Sequence, residues 1–160
     1  MTLTKKTLII MTLQEAYNFF ESLKTKTTKK YEIKVYDKFI HILSELKIKE
    51  FSKDDIQSIE TELDRLNLES NPENRKKYFK KALSKFENYL KDTFYLTSKG
   101  YYTNLYSGLG LSFGLLFGIV FLSSWERSLG ISMGLIGGLL IGLIIGQFMD
   151  SQAKAAGNIL

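Results

Sequence analysis

The chain has 160 residues, 44% of them hydrophobic and 24% charged, with a formal net charge of +5. It contains no cysteine, which excludes disulfides, thiolate nucleophiles and cysteine metal sites and fits a reducing compartment. These averages conceal two different halves: after residue 100 the only charged side chains are Glu126, Arg127, Asp150 and Lys154, whereas ten of the twelve glycines lie between Gly108 and Gly146.

Residues 1–11 form an N-terminal segment whose apolar run is too short for a signal peptide and which has no small-residue cleavage site; Met11 offers a second initiator. Residues 12–94 read as a helical domain. Thr12, with Glu15 three residues on, is a capping box that opens a helix to about Leu23. A second helix, near Lys30 to Lys47, carries Tyr36, Phe39, Ile40, Leu43 and Leu46 at helical spacing. Ser52 caps a third, with Ile56, Ile59, Leu63 and Leu66 on one stripe. Asn71 is the expected cap of a fourth, with Pro72 in its first turn, where a missing N–H does no harm, and this helix runs to about Asp92. Three or four such stripes suit a small bundle.

The fourth helix is the most polarised. At about 100° per residue, Phe79, Ala82, Leu83, Phe86 and Leu90 share one side, while Lys76, Lys77, Lys80, Lys81 and Lys85 take the other. Such a face is either a solvated exterior, a surface for anionic lipid headgroups, or a nucleic-acid surface; the last is the least supported, because no aromatics interleave with the lysines.

Residues 95–104 form a juxtamembrane segment in which Tyr95, Tyr101 and Tyr102, with Tyr106 just beyond, are placed to make an aromatic belt at a membrane surface. Residues 105–149 then hold two charge-free runs, 105–125 and 129–149. At about 1.5 Å per residue each reaches roughly 31 Å, the thickness of a bilayer's hydrocarbon core. Glu126, Arg127 and Ser128 alone separate them, so the expected form is an antiparallel transmembrane hairpin with Trp125 at the far interface. Lys85, Lys91 and Lys99 before the hairpin and Lys154 in the tail, residues 150–160, place both termini in the cytoplasm of a two-pass inner-membrane protein.

The second run, "GISMGLIGGLLIGLIIG", repeats glycine every fourth residue at Gly130, Gly134, Gly138, Gly142 and Gly146, and the first answers with Gly110, Gly114 and Gly118. In water each mid-helix glycine costs up to about 1 kcal/mol relative to alanine. In hydrocarbon the helix persists because an unpaired backbone group costs more, and glycine then supplies a groove for a neighbouring backbone. Residues 105–149 resemble the glycine-zipper hairpins of small membrane proteins. Both rows can be used inside one hairpin, or one can be shared between subunits; Gly137, about 100° from the main row, widens the small face and favours the second arrangement. No Asp, Glu, Lys, Arg or His lies within either run, which disfavours proton relays and ion-coupled transport.

From Thr27 to Phe94 the element order, "YDKFIHILSEL", "FSKDDIQSIETELDRL" and "ENRKKYFKKALSKFENYL", resembles the helical core-binding domain of tyrosine recombinases. The resemblance implies a helical fold and a DNA clamp beside a catalytic domain. Here the sequence instead enters the apolar segment, and its three arginines, Arg65, Arg75 and Arg127, do not supply that family's active-site set.

Catalytic, cofactor and metal sites are not expected. His41 is the sole histidine and reads as a packing or surface residue, Asp54 and Asp55 suit the positive end of a helix, and no P-loop or zinc spacing occurs. The expected class is therefore all-α, a small cytoplasmic bundle followed by a two-helix transmembrane hairpin. The expected role is an anchor or assembly protein, not an enzyme, that presents a basic domain to anionic lipid or to an unidentified protein partner; its glycine rows pack first within one hairpin, with a homo-oligomer through one row as the competing arrangement. A pore gated by the cytoplasmic domain is the alternative from another class, and a membrane-tethered DNA-binding module is the second.

Overall fold

The computed structural model describes residues 10–70, 73–122 and 127–160. Among these the fold is all-α: α1 (Leu13–Lys26), α2 (Lys30–Ile48), α3 (Lys53–Arg65), α4 (Arg75–Phe94), α5 (Tyr101–Phe117), a π-helical turn at Gly118–Leu122, and α6 (Arg127–Ala155). The chain divides into two compact units, residues 1–96 with Leu160, and residues 97–159.

In the first unit, local chemistry sets the helix starts. Thr12 accepts from the Glu15 amide while the Glu15 carboxylate accepts from Thr12, and Ser52 and Asp55 make the same reciprocal pair at α3. The Leu13 amide, one of the orphan donors of the first turn, also donates to Glu60 of α3 at 3.0 Å, so α3 helps to cap α1. The start of α4 corrects the expectation from sequence. Its cap is Asn74, whose side chain accepts from the Lys77 amide, and Asn71 and Pro72 lie outside the described residues. Both asparagines offer the same capping oxygen, so sequence alone did not separate them.

The helix stripes meet in an aromatic core. Phe20 stacks on Phe39 with ring centroids 4.1 Å apart, Tyr36 stands edge-on to Phe79 at 5.4 Å, and Phe39 lies over Phe86 at 6.3 Å. Leu43, Leu46, Ile59, Leu63 and Leu90 close the remainder, each with almost no exposure. Of the stripe residues expected in the core, Ile40 and Ile56 are half-buried at its edge. α4 ends at Tyr95, which adopts a left-handed φ of 58°; the amides of Tyr95 and Leu96 turn back to the last carbonyls of the helix.

The second unit is a helical hairpin of α5, its π turn, and α6. Two stretches, Tyr101–Phe121 and Ser128–Ala155, are long and apolar enough to cross a membrane. Their outer ends differ from the expected starts and stops at 105 and 149, while the expected end at 125 lies outside the described residues. Helix begins four residues earlier, at Tyr101, and α6 runs through Asp150 into the expected tail, because Asp150, Gln152 and Lys154 are good helix formers or tolerable in a last turn and no breaker precedes Gly157. Gly157, with φ 71°, then turns the chain so that Asn158 accepts from the Thr97 amide at 2.9 Å.

Candidate functional site

Two features are built well enough to carry a function: the glycine seam of the hairpin and the basic side of the helical unit. In the seam, the two rows face one another backbone to backbone. A Cβ at Gly110 would overlap the Gly138 carbonyl, one at Gly114 the Gly134 carbonyl, and one at Gly118 the Gly130 carbonyl, and the reverse holds for Gly134 and Gly138. Gly142 and Gly146 continue the row against the backbone of Tyr106, Ser107, Tyr102 and Thr103, where the partner helix has no glycine but turns its main chain inward. Gly137 and Gly108 differ, since neither would bring a Cβ within 4 Å of anything. Both rows are thus consumed within the hairpin, and Gly137 lines an apolar groove together with Phe113 and Ile141.

Outside the seam the hairpin shows large apolar side chains. Phe113 and Ile144 are each 68% exposed, and Leu116, Val120, Phe121, Ile136 and Ile141 are also mostly uncovered. A water-facing surface of this size would be unfavourable by roughly 25 cal/mol for every Å² of apolar area.

The open end of the hairpin is fastened by a residue the sequence reading left in the tail. Asp150 of α6 accepts from the Tyr102 and Thr103 amides, both at 3.0 Å, and from the Thr103 hydroxyl at 2.6 Å. The residue that precedes α5, Gly100, has no side chain to serve as a cap, so the carboxylate of a different helix takes that role. The available signal was a single acid at the end of a charge-free run, with Thr103 at the start of the other. The expected interfacial aromatics fall around this end: Tyr101 and Tyr102 are half-buried, with rings edge-to-face at 5.2 Å, and Tyr106 is half-buried beside the groove. Tyr95 instead sits at the stop of α4, 73% exposed, and Trp125 lies outside the described residues.

On the helical unit, Lys76, Lys77, Lys80, Lys81 and Lys85 are all exposed along α4, opposite the buried Phe79, Ala82, Leu83 and Phe86. Among the described residues none of the five is in an ion pair; Lys76 lies over the Tyr31 ring at 4.8 Å. His41 is exposed, Asp55 is spent on its cap, and no group of three metal-ligating side chains occurs among the described residues. No family model, curated protein or solved structure matches this chain.

Proposed function

We propose that the protein is an integral membrane anchor that holds a basic helical domain against the anionic inner face of a membrane. The observation that carries this reading is the hairpin itself: its two opposed glycine rows are used up in a backbone-to-backbone seam while its large apolar side chains point outward, the arrangement lipid favours and water does not. The lysine side of α4 supports the second half. Five exposed cations, none in an ion pair among the described residues, are joined to the hairpin through only the short segment from Tyr95 to Gly100, and lysines near an anionic leaflet gain about 1 kcal/mol each. The expected oligomer has less to use than the sequence suggested, because Gly137 is the one glycine of α6 with an open side in the described seam.

The absence of native cysteine makes the test direct. Ser84 is exposed among the α4 lysines, so Ser84→Cys accepts a polarity-sensitive fluorophore at a single position. With the full chain in nanodiscs, the label is expected to report a membrane environment when anionic lipid is present, to lose it as salt rises to about 0.5 M, where screening falls below 10 Å, and to lose it when Lys76, Lys77, Lys80, Lys81 and Lys85 are all changed to Gln. A label indifferent to lipid charge and to the five lysines would leave that face a solvated exterior.

A further inference from the structure

Among the described residues of the helical unit, the large apolar side chains most open to solvent are Ile48, 76% exposed, and Tyr95, 73% exposed; Tyr31 follows at 41%. Apolar residues scattered singly over a surface are ordinary. These two share one end of the bundle. Tyr36 meets Phe79, Phe39 meets Phe86 and Phe51 meets Phe94, so α2 and α4 run side by side in the same direction. Ile48 is the last residue of α2, and Tyr95 is the first beyond α4. At the same end Phe51 stands edge-on to Phe94 at 5.6 Å and Tyr89 edge-on to Phe94 at 6.0 Å, all three half-buried.

Tyr95 is costly where it stands. Its φ of 58° is left-handed, the conformation in which a helix stop normally takes glycine, because a Cβ there is crowded. A tyrosine at this position with most of its surface uncovered gains little from the protein's own interior, so its ring is available to something outside the chain. Its place along the chain says what that is. Leu96 to Gly100 alone separate Tyr95 from Tyr101–Phe121, the first stretch able to cross a membrane. Steps of at most about 3.6 Å per residue keep Tyr95 within about 22 Å of that stretch, whatever the angle between the two units. The local charge is also balanced. Over residues 45–54, Lys47, Lys49 and Lys53 offset Glu45, Glu50 and Asp54, and Lys91 pairs with Asp92 at 3.3 Å.

We propose that this end of the bundle, through Ile48, Phe51 and Tyr95, inserts into the interfacial layer of the membrane that holds the hairpin. The contact rests on the membrane-anchor reading, since without a spanning hairpin no lipid surface is within reach. An apolar tip of this kind sinks roughly 5–10 Å, to the boundary of headgroups and acyl chains, and a tyrosine ring suits that depth because its hydroxyl stays wet. It differs from the attraction of the α4 lysines in being indifferent to lipid charge and to salt. Lys85, the member of that row closest in sequence, lies ten residues before Tyr95, about 15 Å along the helix, and an α4 inclined to the leaflet brings row and tip to one surface.

The test uses the full chain, with isoleucine methyl groups labelled for NMR, in nanodiscs of zwitterionic lipid carrying a nitroxide at the headgroup–acyl boundary, at about 0.5 M salt. The Ile48 methyl is expected to broaden severalfold more than that of Ile33, which lies about four turns earlier on α2. Tyr95→Gly is expected to reduce the Ile48 broadening toward the Ile33 level while the melting temperature of the helical unit holds or rises, since glycine suits the left-handed position. A tyrosine that served only to end the helix would leave the Ile48 signal where it was. Equal broadening of Ile33 and Ile48, broadening that needs anionic lipid and vanishes with salt, or broadening untouched by Tyr95→Gly would overturn the tip. Ile144, exposed on the hairpin, separates the two readings. With an acyl-chain nitroxide, Ile144 broadened and Ile48 unaffected by either probe defeats the tip and leaves the anchor standing, whereas neither residue broadened defeats the anchor and the tip with it.

Discussion

Glu15 shows how a single carboxylate ties a helix start to acidity. Its carboxyl is held below its ordinary value of 4.5, first by the Thr12 amide and then by the Thr12 hydroxyl, each 2.8 Å away. A carboxyl whose pKa is lower in the folded chain contributes stability at neutral pH and loses it as the pH falls through the acid range beneath 4.5. Glu15→Gln is therefore expected to lose less helicity than the unmodified chain between neutral pH and that acid range, as read by circular dichroism; identical acid titrations would mean that the reciprocal cap is idle. This pair was legible in the sequence because both partners lie within four residues of each other. Glu60 and Asp150 were not. Each reaches the first amides of a helix from 47 or 48 positions away, and such a carboxylate has no pattern in one dimension.

The elements themselves were largely legible, and for identifiable reasons. The α2 and α4 stripes repeat every three or four residues, so Tyr36, Phe39, Leu43, Phe79, Leu83 and Phe86 fell where expected, in the core. Spacing does not say which aromatic will stack on which, and the Phe20–Phe39 pair at 4.1 Å follows from the way α1 and α2 pack. The glycine rows were legible as rows, but their partners were not. Gly137 and Gly138 are neighbours in sequence with opposite surroundings: Gly138 meets the Gly110 carbonyl and Gly114 Cα, and Gly137 meets nothing within 4 Å. Even one methyl thus separates them. Gly138→Ala is expected to push the hairpin helices apart and to lower its thermal stability in detergent by about 1–3 kcal/mol, the usual cost of overpacking, while Gly137→Ala leaves the melting curve in place. If Gly137→Ala instead lowers the molecular mass of an assembly in nanodiscs, the groove between Phe113 and Ile141 is a subunit interface. Equal and small effects from both would mean that the seam does not hold the hairpin.

For the whole molecule, the charge asymmetry across the hairpin leads to an expected topology. Lys85, Lys91 and Lys99 precede α5 and Lys154 lies in the last turn of α6, while the connection between the helices carries Glu126 against Arg127. Single cysteines introduced at Ser98 and at Asn158 are expected to react with a membrane-impermeant reagent only after the inner side is opened, and one at Ser124 from outside; labelling of all three from one side would defeat the two-pass orientation. The carboxylate of Asp150 adds a direction to how such a hairpin is made. Tyr102 leaves the ribosome 48 residues ahead of the acceptor for its amide. The glycines nearest the connection, Gly118 and Gly130, are by contrast the first opposed pair to be synthesised, so the helices can close upward from there through Gly114 and Gly110. Until Asp150 emerges, the Tyr102 and Thr103 amides lack their acceptor, and the Thr97 amide lacks Asn158. Order of synthesis thus makes the bonds to Asp150 and Asn158 the last in the hairpin for which both partners exist.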